Sequence, residues 1–213
     1  MKIKWLGHSS FMITSDAGTK IITDPYAPTD KLRYGKIKES ADIITISHEH
    51  PDHNNTDPIL GNPSILRQSA EVKGINFKAI LAYHDNDSGT KKGSSTIFWF
   101  EVDRVKICHL GDIGHLLSDK QLMELDKVDL LLIPVGGYYT IDAEVASKIC
   151  DQIKPGVIIP MHFLDSRSDL PISGVDGFLQ GKNNVNRLNS SELKLKIEEI
   201  PIRTQIMVLT PAL

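Results

Sequence analysis

Cysteine is scarce in this chain: Cys108 and Cys150 are the two in 213 residues. A disulfide-stapled secreted scaffold and a four-cysteine zinc site are thereby excluded. No apolar run approaches the roughly 18 residues of a membrane-spanning helix. The stretch from Met1 to Trp5 enters a strand-like pattern without the layout of a signal peptide. Neither sign of charge dominates. Lys plus Arg number 24 and Asp plus Glu 27, a formal net charge of −3, which disfavours a broad surface for nucleic acid. Low-complexity segments and linkers are missing too. The expectation is one cytoplasmic domain over residues 1–213, with no membrane and no nucleic-acid partner. Its 40% hydrophobic content suffices for a core without a covalent or metal staple.

What is present is patterned. Residues 3–6, 11–14 and 20–23 alternate as strands, the last ending at Asp24-Pro25. Ile43 to Ile46 is a short β-branched run, expected to be buried on both faces. Strands are expected over 76–83, 96–102 and 105–110, the last two joined across Asp103-Arg104 and followed by Gly111-Asp112. The spacing turns helical over 118–128, with Ser118 as N-cap, and over 142–153, with Asp142 as N-cap and Pro155-Gly156 as stop. Strands follow over 130–133 and 157–159, then a weak helix over 175–180 and terminal strands over 193–197 and 205–209. There is an internal echo. A hairpin ending at Asp24 precedes the buried run after Asp42, and a hairpin ending at Asp112 precedes the buried run after Asp129, at nearly equal intervals. It suggests two related halves about a pseudo-two-fold axis.

The eight histidines matter through their placement. His48-Glu49-His50-Pro51-Asp52-His53 follows a buried run at once and puts three imidazoles and a carboxylate in six residues. Neutral imidazole nitrogen and carboxylate oxygen are the donors that divalent transition metals take. Alternate residues such as His48 and His50 project the same way from extended backbone and reach one ion. Pro51 bends the loop so that Asp52 and His53 face a second. Glu49 points away and is given no ligand role. A chance set of histidines on a solvated loop is the alternative, and the position after a buried strand argues against it.

His-x-His-x-Asp-His in this position resembles the signature of the metallo-β-lactamase superfamily. Gly7-His8-Ser9, Thr23-Asp24-Pro25, Leu110-Gly111-Asp112 and Ile159-Pro160-Met161-His162-Phe163 extend the resemblance over essentially the whole chain. Gly111-Asp112-Ile113-Gly114-His115 and Pro134-Val135-Gly136-Gly137-Tyr138-Tyr139-Thr140 are similar to one branch, small stand-alone metal-dependent hydrolases related to ascorbate-6-phosphate lactonase. The resemblance implies an α/β fold, a four-layer αββα sandwich of two pseudo-symmetric halves with ligands on loops at one edge. It implies His48, His50 and a later histidine on one metal, Asp52, His53 and His162 on the other, and Asp112 bridging both. His84, beyond the end of a strand, is the favoured later histidine; His109, inside a strand, is its competitor.

Other residues have two readings each. Asp24 is expected to orient ligands, because metal-bound histidines usually donate their other N–H to a carboxylate. His8 is near the metal edge by resemblance, or an ordinary turn histidine. His115 is a substrate contact or part of a helix start. Tyr138 or Tyr139, after two glycines, is a candidate donor to an oxyanion, although core packing is the commoner fate of a tyrosine. Lys31, Arg33, Lys36 and Lys38 are solvated surface or an anion anchor. Both cysteines are expected to be reduced buried thiols.

The expected function is that of a dinuclear metal-dependent hydrolase. Two divalent ions, zinc foremost with manganese and iron also compatible, activate a water as hydroxide for attack on a carbonyl or phosphoryl centre. Asp52 orients it and shuttles its proton. The substrate is expected to be a small lactone, ester or phosphodiester. A nuclease and a non-catalytic metal-binding paralogue are the alternatives. The charge balance and the lack of an added domain disfavour the nuclease, and a redox di-iron role is disfavoured because His50 stands where that branch has glutamate.

Overall fold

Two β-sheets face each other in the computed structural model, which describes all 213 residues. The first contains β1 (Lys2–Gly7), β2 (Ser10–Thr14), β3 (Lys20–Thr23), β4 (Ile43–Thr45) and β5 (Ser64–Leu66), with β13 (Glu192–Lys194) added beside β1. The second, eight-stranded, runs in the spatial order β12 (Val185–Arg187), β14 (Gln205–Val208), β11 (Val157–Met161), β10 (Leu130–Pro134), β9 (Val105–His109), β8 (Ser94–Val102), β7 (Ile75–Tyr83) and β6 (Ala70–Val72).

Strand alternation divides the apolar residues of the first sheet between two cores. Trp5, Phe11, Ile13, Ile21 and Ile43 join the main core of 44 buried residues between the sheets. Leu6, Met12, Ile22 and Ile44 point the other way and pack with Tyr26, Tyr34 and Ile37. The outer layer of this sheet is therefore irregular chain. The three α-helices belong to the second half: α1 (Asp119–Glu124), α2 (Ala143–Ile153) and α3 (Asp176–Leu179). All five residues of β10 and of β11 are buried, as parallel strands covered on both faces require. No helix is long and apolar enough to cross a membrane.

The internal echo corresponds to a repeated five-strand unit. From β1 to β5 successive pairs are antiparallel, antiparallel, parallel and parallel. From β7 to β11 the senses are the same. Consequently β1, β3 and β4 deliver their C-terminal ends to one edge of their sheet, and β7, β9 and β11 to one edge of theirs.

Local differences from the sequence-based expectation have physical causes. Ser118 caps α1 as expected, in a reciprocal box with Gln121, but the helix ends at Glu124 and not at Val128. The Lys127 carbonyl accepts from Trp99 Nε1 at 3.1 Å, and Asp129 N–H donates to Lys106 O at 2.8 Å. These bonds draw the chain out of helix and into register for β10. Asp142 caps α2 through Val145 N–H, and Lys154 ends it in the left-handed region at φ 53°. The stretch 193–197 divides between β13 and a 3-10 turn over Ile197–Glu199. The sequence signals missed β5, β6 and β12, each three residues long and at a sheet edge.

Gly7 ends β1 at φ +135°, and a Cβ there would lie 2.6 Å from the Tyr34 ring. Gly7→Ala is expected to cost about 2–4 kcal/mol through strain and overpacking, read as a lower denaturation midpoint at unchanged m-value.

Candidate metal centre

Strand ends build the site. His8 follows β1, Asp24 follows β3, the His48–His53 loop follows β4, His84 follows β7, Asp112 lies beyond β9, and His162 follows β11. His8, Asp24 and His162 adopt positive φ of 51°, 37° and 50°. Such backbone is strained for residues other than glycine and persists where surroundings enforce it. Here the His8 carbonyl accepts from Trp5 Nε1 at 3.0 Å and from His162 N–H at 3.2 Å. Trp5 also packs on Phe163, with ring centroids 5.3 Å apart. A buried tryptophan of the main core thus ties together the two turns that carry His8 and His162.

Three rings converge on one carboxylate oxygen. Nε2 of His53, His84 and His162 lies 3.3, 3.4 and 3.2 Å from Asp112 Oδ2. Three donor groups have their ligating atoms within 4.8 Å of one another: His48, His50 and His84; His8, Asp52, His53 and His162; and Asp24, His48 and His53. Asp24 stands behind. Its carboxylate accepts from Ser47 N–H at 2.8 Å, from the Ser47 hydroxyl at 2.5 Å, and from His53 Nδ1 at 3.0 Å. The Ser47 oxygen lies 2.9 Å from His48 Nδ1. Both rings are thereby turned so that Nε2 faces inward.

Burial and neighbouring charge set the protonation states. Burial, with the neighbouring His162 ring, pushes His8 down to about 4, and burial with His53 pushes His48 down to about 3. Burial also lowers His84. His53 differs. Burial disfavours its charged form, yet the Asp112 and Asp52 carboxylates hold it well above the usual imidazole range. Against the same penalty, His162 and His53 hold Asp112 well below the carboxylate range, and His53 and His8 do so for Asp52.

The donor set fits divalent metal. His53 Nε2 and Asp112 Oδ1, which face the centre, are fully buried without a hydrogen-bond partner. Buried polar atoms are rarely left so, and imidazole with carboxylate is the chemistry such ions take. Metal and proton compete for the ring nitrogens, and the Asp112 and Asp52 carboxylates favour the protonated form of His53. Loading is therefore expected to release protons, and apparent affinity should rise with pH. Calorimetric titrations in buffers of different ionisation enthalpy measure this; a heat independent of buffer would contradict it.

Other residues singled out from the sequence stand elsewhere. His109 is fully buried, with Nε2 2.9 Å from Ser9 O and Nδ1 accepting from Gly111 N–H at 3.2 Å. His115 uses both ring nitrogens on backbone, accepting from Tyr83 N–H at 3.0 Å and lying 2.7 Å from Leu116 O. It lines a separate cleft. Glu49 pairs with Arg67 at 2.5 Å. Arg33 pairs with Asp169. Tyr138 is exposed, whereas Tyr139 lines a cleft of about 380 Å³ together with His50, Asp52, His84 and Asp112. Ser47, Lys91, Lys92 and Leu170 escaped the sequence reading. Ser47 directly precedes the histidine cluster, which was its one signal; the others had none.

Residues 2–162 match the family model described as a β-lactamase superfamily domain. A UPF0173 protein of Pyrococcus furiosus is 31% identical over 186 residues, covering 76% of this chain and 83% of that protein. A UPF0173 metal-dependent hydrolase of Thermoplasma acidophilum is 30% identical over 192 residues, with the same two coverages, 76% and 83%. A solved structure from Thermotoga maritima, assigned to the Zn-dependent hydrolases of the metallo-β-lactamase superfamily, superposes with a TM-score of 0.82 at 32% identity, covering 98% of this chain and 97% of that one.

Proposed function

The chain belongs to the β-lactamase superfamily and is a metal-dependent hydrolase, and from that premise we propose that it cleaves a small lactone, ester or phosphodiester at a centre of two divalent ions. The observation that carries this reading is the convergence of three imidazole nitrogens on Asp112 Oδ2. Two of the donor groups, His48 with His50 and His84, and His8 with Asp52, His53 and His162, share no residue, which supports two ions. His48, His50 and His84 would hold one, Asp52, His53 and His162 the other, and Asp112 both. The set has no thiolate, which suits zinc, manganese and iron; zinc is our choice, in keeping with the assignment of the Thermotoga maritima relative. Such a centre supplies Lewis acidity and brings the pKa of water toward neutrality.

The chain's residues do the positioning. Asp24 and Ser47 hold His53 and His48 in orientation. Asp52, ionised and 36% exposed on the cleft wall, accepts a hydrogen bond from the attacking water and receives its proton. Neutral His8, 3.2 Å from Asp52 Oδ2 through Nε2, fixes that carboxylate. The net charge of −3 and the cleft's modest volume favour a small molecule over a nucleic acid.

The test is turnover of bis-p-nitrophenyl phosphate and of simple lactones by metal-loaded protein, abolished by chelator. Asp52→Ala should lower kcat/KM by about 10²–10⁴-fold with little change in Tm; full activity in that variant would remove Asp52 from the mechanism. Elemental analysis should give two ions per chain, and a folded protein that takes up none would overturn the reading.

A further inference from the structure

Lys92 is a half-buried lysine on the wall of the metal cleft, and no carboxylate pairs with it. Its Nζ donates to the carbonyls of Tyr138 and Tyr139, each at 2.8 Å, and stands 5.7 Å from the centroid of the Tyr139 ring. Its backbone is fixed as well. The Asp85 carboxylate accepts from N–H of Asp87, Gly89, Lys91 and Lys92 at 2.8–2.9 Å. An ammonium has three donors, so one is left over in a cleft that His50 and Asp52 also line. Two carbonyl dipoles hold the cation in place without neutralising it, and a partly desolvated charge without a counter-ion is costly. The other nearby cation, Arg67, is already neutralised by Glu49.

We propose that Lys92 is an anion-docking residue, and that the substrate is a small polar molecule bearing a carboxylate or phosphate besides the bond to be cleaved. A cleft of about 380 Å³ whose lining includes Leu170 as its one aliphatic side chain has little for an apolar ligand. Lys91 lines the same cleft but pairs with Asp87 at 3.4 Å, so Lys92 is the cation of this lining without a carboxylate partner. The cleavage step rests on the hydrolase reading; the anion site does not.

The experiment is isothermal titration of metal-loaded protein with phenylphosphonate and, separately, benzoate, comparing wild type with Lys92→Met and Lys92→Arg. One or both probes should bind about tenfold more weakly to Lys92→Met, with affinity kept in Lys92→Arg; which probe responds distinguishes phosphate from carboxylate. Equal affinities in all three proteins, or no binding to wild type, would overturn the proposal. If Lys92→Met does not fold, Lys92→Gln, which can still donate to a carbonyl but carries no charge, serves in its place. In kinetics, the ratio of kcat/KM for an anionic ester over its neutral analogue should fall about tenfold in the variant. A ratio within twofold of wild type would reduce Lys92 to a staple between loops. The charge-dependent binding pattern without turnover of any lactone, ester or phosphodiester would sink the proposed substrate class and leave the anion site standing; turnover without that pattern would do the reverse.

Discussion

His84→Ala should give a folded protein that binds one divalent ion fewer per chain and loses at least about a hundredfold in kcat/KM, since even residues that only orient ligands cost 10–100-fold. The basis is geometric. His84 Nε2 reaches within 3.4 Å of Asp112 Oδ2, and the ring stands 4.8 and 5.1 Å from those of His48 and His50. His109→Ala should behave in the opposite way. Its ring nitrogens bond to Ser9 O and Gly111 N–H inside the core, so the variant should keep both ions and lose about 2–4 kcal/mol of stability through a cavity and unpaired backbone groups. Elemental analysis paired with melting curves decides. Metal loss in His109→Ala with retention in His84→Ala would reverse the assignment.

Asp24→Ala should damage both stability and metal binding. The substitution strands Ser47 N–H, the Ser47 hydroxyl and His53 Nδ1 in a fully buried place. Removing one partner of such a network costs roughly 3–5 kcal/mol, and freeing the rings of His48 and His53 should weaken metal affinity by about 10–100-fold. The pH dependence has a definite sign. Burial opposes ionisation of Asp24, yet His109 and His53 keep its carboxyl below the usual range. Its contribution is therefore present above the unfolded carboxyl pKa of about 3.9 and is lost as pH falls through the folded value. Wild type and Asp24→Ala should differ most near neutrality and converge in acid. Denaturation across pH with metal removed tests this, and a constant difference down to the lowest pH would contradict it.

The chemistry of the site was legible where it was local. Six consecutive residues after a β-branched run declared a metal-binding loop, and the Asp24 and Asp112 echoes marked the two halves. Helix starts were legible because a cap acts within three residues, as Ser118 and Asp142 do. The end of α1 was not, because Trp99, 28 residues from Lys127, supplies one of the bonds that stop it. Three-residue edge strands carry too few side chains to register as a pattern.

Sequence alone determined the donor types, the strand-loop context of the His48–His53 cluster, and the alternation that splits the first sheet's side chains between two cores. Each follows from bonds and periodicities spanning a few residues. Tertiary structure decided the rest. It brought His8 to Asp52 across 44 residues and His53 to Asp24 across 29. It put His84 rather than His109 beside Asp112 Oδ2, covered the outer face of the first sheet with irregular chain, and carried Lys92 to the carbonyls of Tyr138 and Tyr139. Those outcomes depend on which strands pair and in which sense, and pairing is settled by burying a shared core between two sheets, a property no short window of residues contains.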